Sequence, residues 1–353
     1  MIENFDELMN GSQKKNNDNN DDSLLDQITS RLDAIYNQYH WKSEDDLRVS
    51  CINAAQLELN YLNEDKSDSE KLTKLPTNAV AWLFGKAFHY YLFDTSEDAR
   101  IAFYKPTSGT YTRNLRELYR YLSFFEPSLT KAKADNIIFL LTARAKYNHH
   151  HDNGKYIAAN NGLINLKTKK LEDFTPLHPV FTKVATNYKP DAKCPNINGW
   201  SVDKMFDQLA CGDKDEVKLF WQIINDALNG NRTRGKAFFL VGNVHGNNGK
   251  GTFQALIENL VGDDNYGNLK IDEFEKRFSL SVLDGKTVCI GDDVQSGYIN
   301  NSSNFNSIVT GDPVNIELKK KPIYKTTLHC TIIQSCNTMP TFAKKGGTMR
   351  RLI

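Results

Sequence analysis

The sequence has no apolar run long enough to cross a bilayer, few cysteines and no excess of charge of either sign. Its longest apolar stretch, around residues 137–141, falls far short of the ~20 residues a spanning helix needs. The opening decapeptide MIENFDELMN is acidic and has no apolar core, so no secretory signal is visible and a cytoplasmic protein with no membrane partner is expected. The six cysteines, Cys51, Cys194, Cys211, Cys289, Cys330 and Cys336, form no C-x-x-C pair and are expected to be free thiols. His149, His150, His151 and Asp152 are adjacent, but neighbours on an extended chain point to opposite sides, so the cluster reads as a solvated loop rather than a metal site. No internal repeat is present.

What is there is ordinary for a soluble globular chain of two or three domains: 353 residues, 40% apolar and 25% charged. The net charge of +1 conceals an asymmetry. Residues 1–27 carry two lysines against seven acids, and residues 311–351 carry eight lysines or arginines against two acids. A basic C-terminal segment suits a phosphate-rich partner.

Residues 1–22 include the polar tract NGSQKKNNDNNDD and read as a disordered acidic tail. Residues 23–195 read as a mostly helical α+β domain. Ser23 caps an amphipathic helix bearing Leu24, Leu25, Ile28, Leu32, Ile35 and Tyr39, with Asp26 completing a capping-box-like start. Helical patterns follow over 47–62, 77–92, 114–125 and 131–147, with two short strands around a Ser-Gly turn from Ala102. Tyr90, Tyr91, Phe103, Tyr104 and Tyr111 could stack on bases, although core packing is the expected role for most of them. Alternating strands broken by Asn-Gly and by a lysine-rich turn form a small β unit over 155–195. A helical connector over 196–235 leads to an α/β domain over 236–353.

That last domain carries the chemistry. Residues 237–253, AFFLVGNVHGNNGKGTF, read as a buried strand entering a glycine-rich loop and leaving through Gly249-Lys250 into a helix. Such a loop turns backbone N–H groups and a helix N-terminus toward an anion, and the Lys250 ammonium would neutralise nucleotide phosphates. Gly242, Gly246, Asn247, Asn248, Gly249, Lys250, Gly251 and Thr252 form the candidate cradle. Against the pattern G-x-x-x-x-G-K-[ST], Val244 stands where glycine is wanted and Gly251 where a hydroxyl is, so Thr252 is the substitute candidate for contact with Mg²⁺. Residues 286–293, KTVCIGDD, read as an apolar strand ending in Asp292, assigned mainly to the metal, and Asp293, assigned to the attacking water, with exchange of the two roles left open. A third strand, in TLHCTIIQSCNTMP, delivers Asn337, whose amide can bond both a γ-phosphate and the water. Between these strands, GDPVNIELKKKPIYK reads as a hairpin tipped by Lys319, Lys320 and Lys321, suited to gripping a phosphodiester backbone. Arg350 and Arg351 could stabilise charge on a neighbouring subunit's nucleotide.

The order of these motifs resembles a superfamily 3 DNA helicase of the phage and plasmid primase-helicase type, related to poxvirus-like primase-helicases. The resemblance also rests on YIAANNGLINLKTKKLEDFTP and YKPDAKCP before the loop. It implies a P-loop AAA+-like αβα ATPase that is incomplete at its C-terminus, since relatives continue through another strand and a helical segment. It also implies Lys250 as the P-loop lysine, Asp292 and Asp293 as the paired acids, Asn337 as the sensor, and Lys320 or Lys321 as the hairpin base on DNA. One of Arg350 and Arg351 would be a finger acting in trans. The expected function is an ATP- and Mg²⁺-dependent replicative helicase working on DNA as a homo-oligomeric ring, a hexamer, with a separate primase or initiator as a candidate further partner. The rival is a non-catalytic DNA-binding or assembly protein that binds nucleotide without turnover. A small-molecule P-loop kinase fits less well, because it leaves the basic hairpin without a role.

Overall fold

A computed structural model describes residues 23–95, 99–148, 154–243, 246, 248–319, 323–343 and 345–353. The expected tail at 1–22 and the histidine cluster at 149–152 lie outside the described residues.

Ser23 opens α1 (Leu24–Asn37), its Oγ accepting the Asp26 amide at 3.2 Å and donating to the Asp26 carboxylate at 2.7 Å. Ile28, Leu32 and Ile35, spaced three and four apart, turn one face of α1 into a core shared with α2 (Glu44–Asn63) and α3 (Thr77–Ala87). The chain then forms β1 (Tyr90–Leu92), β2 (Ala102–Lys105), β3 (Thr110–Thr112), α4 (Leu115–Leu122), α5 (Lys131–Arg144) and β4 (Lys146–Tyr147). Two expected helices are therefore shorter than their periodicity suggested, since residues 90–92 and 146–147 are parallel partners in a sheet of order β3-β2-β1-β4. The aromatic run Phe88-His89-Tyr90-Tyr91 favours extended backbone over helix. Phe103, Tyr104 and Tyr111 are at most 2% exposed, so core packing is their role. All six cysteines are free.

The small β unit consists of β5 (Tyr156–Ala159), β6 (Gly162–Asn165) and β7 (Leu171–Glu172), antiparallel throughout. It touches both neighbours. The Tyr111 hydroxyl donates to the Pro176 carbonyl on one side, and the Ala185 amide donates to the Val261 carbonyl on the other.

Helices α6 (Val202–Leu209) and α7 (Lys214–Ala227), expected as a connector, form a layer against α8 (Lys250–Val261). Phe206, Phe220 and Phe253 meet there at ring distances of 5.0 to 5.7 Å. They cover one face of a parallel sheet made of β8 (Phe238–Val241), β9 (Tyr266–Asn268), β10 (Val288–Val294) and β14 (Thr331–Cys336), in the order β8-β14-β10-β9. Period-two alternation sets the faces. Phe238, Val288, Ile290 and Ile333 point to these helices, while Ala237, Phe239, Cys289, Ile332 and Cys336 point to a second core. That core is closed by short turns around Ile271 and Leu283 and by α9 (Ser303–Thr310). The chain finishes with the hairpin β12 (Val314–Ile316) and β13 (Tyr324–Thr326), then β15 (Thr341–Phe342), which pairs with β11 (Tyr298–Ile299), and α10 (Lys345–Met349). Residues 351–353 run parallel along the outer edge of β8, where the Ile353 amide donates to the Ala237 carbonyl at 2.9 Å.

Two contacts fix the sheet. Gln334, fully buried in β14, accepts the Ile271 amide at 2.9 Å, and its carboxamide lies 2.0 Å from where a Cβ on Gly291 would stand. Gly291→Ala should therefore cost about 1–3 kcal/mol by overpacking, read as a lowered midpoint in urea unfolding. Asp226, 3% exposed at the end of α7, pairs with Arg234 and accepts the Thr331 hydroxyl at 3.1 Å. Burial pushes the Asp226 carboxyl above the usual carboxylate range, against the pull of Arg234. A carboxyl whose pKa is raised by folding contributes less stability as pH rises through that raised window. Arg234→Ala, which lifts the pKa further, should destabilise by about 3 kcal/mol at neutral pH. The deficit should shrink as pH is lowered toward about 4, where a proton replaces the lost cation; a deficit independent of pH would contradict this reading.

Candidate functional site

Parallel pairing brings the carboxyl ends of β8, β14 and β10 to one edge of the sheet. Beyond β8 the Gly242 amide still donates to the Cys336 carbonyl at 2.9 Å, so the glycine-rich loop starts in register with β14. The loop has little room. A Cβ on Gly242 would lie 2.1 Å from Asn248 Nδ2 and 2.2 Å from Lys250 Nζ, and any side chain there would push the ammonium away. Gly249 enters α8 with φ +79°, a left-handed conformation that favours glycine, and a Cβ on it would lie 2.4 Å from Leu209. Gly246 is also left-handed, while Val244, His245 and Asn247 lie outside the described residues.

Lys250 is the first residue of α8, and its ammonium donates to Asn248 Oδ1 and Asn337 Oδ1, both at 2.9 Å. The loop lysine and the amide at the end of β14, 87 residues apart in sequence, thus meet directly. The acids emerge on the far side of β14. Gly291 pairs with Gln334 and Val294 with Cys336, so β10 carries one extra residue in a bulge that lifts Asp292 and Asp293 out of the ladder. Asp293 takes φ +50°, a conformation Asp tolerates better than most residues, and both carboxylates are exposed.

A residue that the sequence reading passed over holds the bulge. Ser335, fully buried, donates to Asp292 Oδ1 at 2.6 Å and accepts the Asp293 amide at 3.1 Å. Its signal in the sequence is phase, since it stands two residues before Asn337 and so on the same face of β14. Lys270 adds a second clamp, its ammonium donating to the Asp293 carbonyl at 3.0 Å.

Between α8 and β10 opens a cavity of about 420 Å³, lined by Gly251, Gln254, Glu258, Lys270 and Asp292 among others. Burial raises the Glu258 carboxyl, with the Asp292 and Asp263 charges adding to the effect. Gly251 faces this cavity and has nothing within 4 Å of a built Cβ. Thr252 does not line it, because one step along a helix turns the side chain by about 100°. The structure therefore brings together Gly242, Asn248, Gly249, Lys250 and Asn337, sets Asp292 with Gly251 around the adjoining cavity and Asp293 beside Ser335, and leaves Thr252 exposed.

The other candidates lie elsewhere. Lys319 is exposed at the tip of the β12–β13 hairpin, whose Lys320 and Lys321 are outside the described residues. Arg350 and Arg351 lie near the start of β8, at the opposite end of that strand from the loop. Arg350 is exposed, whereas Arg351 donates to the Gly347 carbonyl of its own chain. Among the described residues no three or more His, Cys, Asp or Glu side chains gather as a metal cage, and no helix is long and apolar enough to cross a membrane.

Fold and site together define a mixed α/β protein in which a lysine-bearing glycine loop, paired acids and an asparagine share one edge of a parallel sheet. The chain belongs to the D5 N terminal like family, whose model matches residues 28–206. A second model, a family of unknown function (DUF5906), matches residues 240–351. No curated protein matches the chain. Among solved structures, the chain is similar to the apo C-terminal region (305–718) of NrS-1, at TM-score 0.46 and 15% identity over 77% of this chain and 59% of that one. It is also similar to JCV helicase bound to a substituted N-phenylacetamide compound, at TM-score 0.32 and 11% identity over 95% of this chain and 77% of that one. The chain thus spans about three fifths of the length of the NrS-1 region it matches.

Ser335→Ala should release Asp292 from its hydrogen bond while leaving the sheet intact. A hydrogen bond to a charged group contributes about 1.5–3 kcal/mol, so any Mg²⁺-dependent nucleotide binding at this edge should weaken by roughly tenfold or more, measured by calorimetry. Unchanged affinity in a folded variant would remove Asp292 from the site.

Proposed function

We propose that the chain is an ATP-driven replicative DNA helicase of a phage, plasmid or other mobile element, acting as a ring-shaped homo-oligomer, a hexamer, on single-stranded or forked DNA. The observation that carries this reading is the meeting of Lys250 with Asn337 beside the Asp292–Asp293 bulge. In this reading the loop is a P-loop in an AAA+-like domain, and the Lys250 ammonium exchanges its two amide oxygens for β- and γ-phosphate oxygens. Asn337, freed from the lysine, bonds the γ-phosphate and the attacking water. Asp293 orients that water, and Asp292, held by Ser335, contributes to the shell of Mg²⁺. An all-oxygen donor set of one carboxylate with substrate phosphates suits Mg²⁺, which neutralises developing charge on the phosphoryl oxygens when bound. Arg350 acts on the neighbouring subunit's nucleotide, and the Lys319–Lys321 hairpin grips the strand. A separate primase or initiator would complete the replication apparatus.

One observation favours the alternative of nucleotide binding without productive turnover. Gly251, and not a serine or threonine, faces the cavity that Asp292 shares. The two readings separate in one assay. ATP turnover is expected to be stimulated by single-stranded DNA and to fall about 100-fold or more in Lys250→Ala. Turnover that is indifferent to DNA and survives the substitution would end the helicase reading, and tight nucleotide binding with no turnover would favour the alternative.

A further inference from the structure

At the opposite end of the sheet from the lysine loop lies a cavity of about 660 Å³, between the small β unit and the C-terminal end of α7. Its walls carry Lys155, Lys167, Lys169 and Arg232, together with Asn225 and Asn229. None of the four cations forms an ion pair among the described residues. The described lining residues include no carboxylate. Of the nearby described acids, Glu172 accepts from Asn165 Nδ2 at 2.9 Å, and Asp226 is held by Arg234 and Thr331 while also attracting Arg232.

The second observation is a donor without an acceptor. Asn229 is only 2% exposed, and its Oδ1 accepts the Asn231 amide at 3.2 Å, which directs Nδ2 the other way. Nδ2 is buried and has no hydrogen-bond partner among the described residues. An unmet buried amide donor is costly, so a fold that keeps one on the wall of a cationic cavity has a place for an acceptor. The loop opposite is built to hold its lysines in position. Asn165 Oδ1 accepts the amides of Lys167 and Thr168 at 3.0 and 3.1 Å, and Lys169 takes φ +60° to close the turn. Asn231 ties this wall to the unit, its Nδ2 donating to the Tyr156 carbonyl at 2.8 Å.

We infer that this cavity is a second phosphate-binding site, independent of the lysine loop, which takes the phosphate of a nucleotide or of a nucleic-acid strand between the three lysines and Asn229 Nδ2. Three lysines and Arg232, with one fixed neutral donor, match a phosphate's charge and its several acceptor oxygens.

The test uses the full chain with Lys250→Ala, so that the lysine loop does not contribute, and compares it with the same chain carrying Lys155→Gln, Lys167→Gln and Lys169→Asn. Asparagine is chosen at 169 because it tolerates the left-handed backbone there. A second variant, Asn229→Asp, keeps the shape and replaces the donor by a repelling carboxylate. Pyrophosphate and ADP are titrated by calorimetry, and a fluorescent single-stranded oligonucleotide by anisotropy across a salt series. Binding in the parent that falls at least tenfold in both variants supports the site. A loss confined to the oligonucleotide, with the salt slope reduced by roughly 0.7 per contact removed, assigns it to a strand, and a loss of pyrophosphate or ADP assigns it to a free nucleotide. Equal binding by parent and both variants, or no binding by the parent, overturns the inference. ATP binding to the chain with Lys250 intact is measured alongside, so that failure of the loop reading stays distinguishable.

Discussion

The position of β14 is the constraint on which the rest of the molecule depends. It is buried along its whole length and lies between β8 and β10, parallel to both. Parallel strands end on the same side, so this one placement carries the glycine loop, the bulged acids and Asn337 to a common edge. The contacts that define the site are consequences of it. Lys250 reaches Asn337 because β8 and β14 are neighbours, and Ser335 reaches Asp292 because β14 and β10 are. The same strand supplies Gln334, which fills the space over Gly291 and sets how closely β10 can approach.

Much of this arrangement was legible in residues close together in sequence. The cap at Ser23, the hairpin strands over 314–326, the strand and helix flanking the Lys250 loop and the strand end before Asn337 all depend on local patterns, and each is present, whereas β10 continues past Asp292 and Asp293 to Val294. What was not legible depends on register or on tertiary burial. The bulge at Asp292 and Asp293 is a one-residue slip against a strand about 40 residues away, and no local pattern announces it. Ser335 gains its role only through that slip. Thr252 looked like the nearest hydroxyl in sequence, yet it stands one helical step out of phase with Asp292. Helices α6 and α7 carry an apolar face that reads equally well as a connector or as a layer, and only Phe206 and Phe220 meeting Phe253 decides between them. Residues 90–92 and 146–147 leave their helices for a strand pairing between segments more than 50 residues apart.

The two ends of the sheet are complementary in character. At the carboxyl edge, fixed elements hold mobile charge: a left-handed glycine, a strand end and a bulge position one lysine, two acids and an amide. At the other end, Asp226 anchors α7 to β14, and the neighbouring Asn229 presents a buried amide to a cavity lined by three lysines and Arg232. Rigid frames with few, oriented polar groups are what oxyanion ligands require, because the orientation cost is met in folding and not on binding.

The central claim is that the three strand ends form a single nucleotide site. It is tested most directly by titrating a fluorescent ATP analogue, with Mg²⁺, into the wild-type chain and into Asn337→Ala, a residue that belongs to the glycine loop only through the fold. The account predicts saturable binding that is weakened in the variant. Absence of saturable binding by the wild type, or binding equally tight in Asn337→Ala, would contradict it.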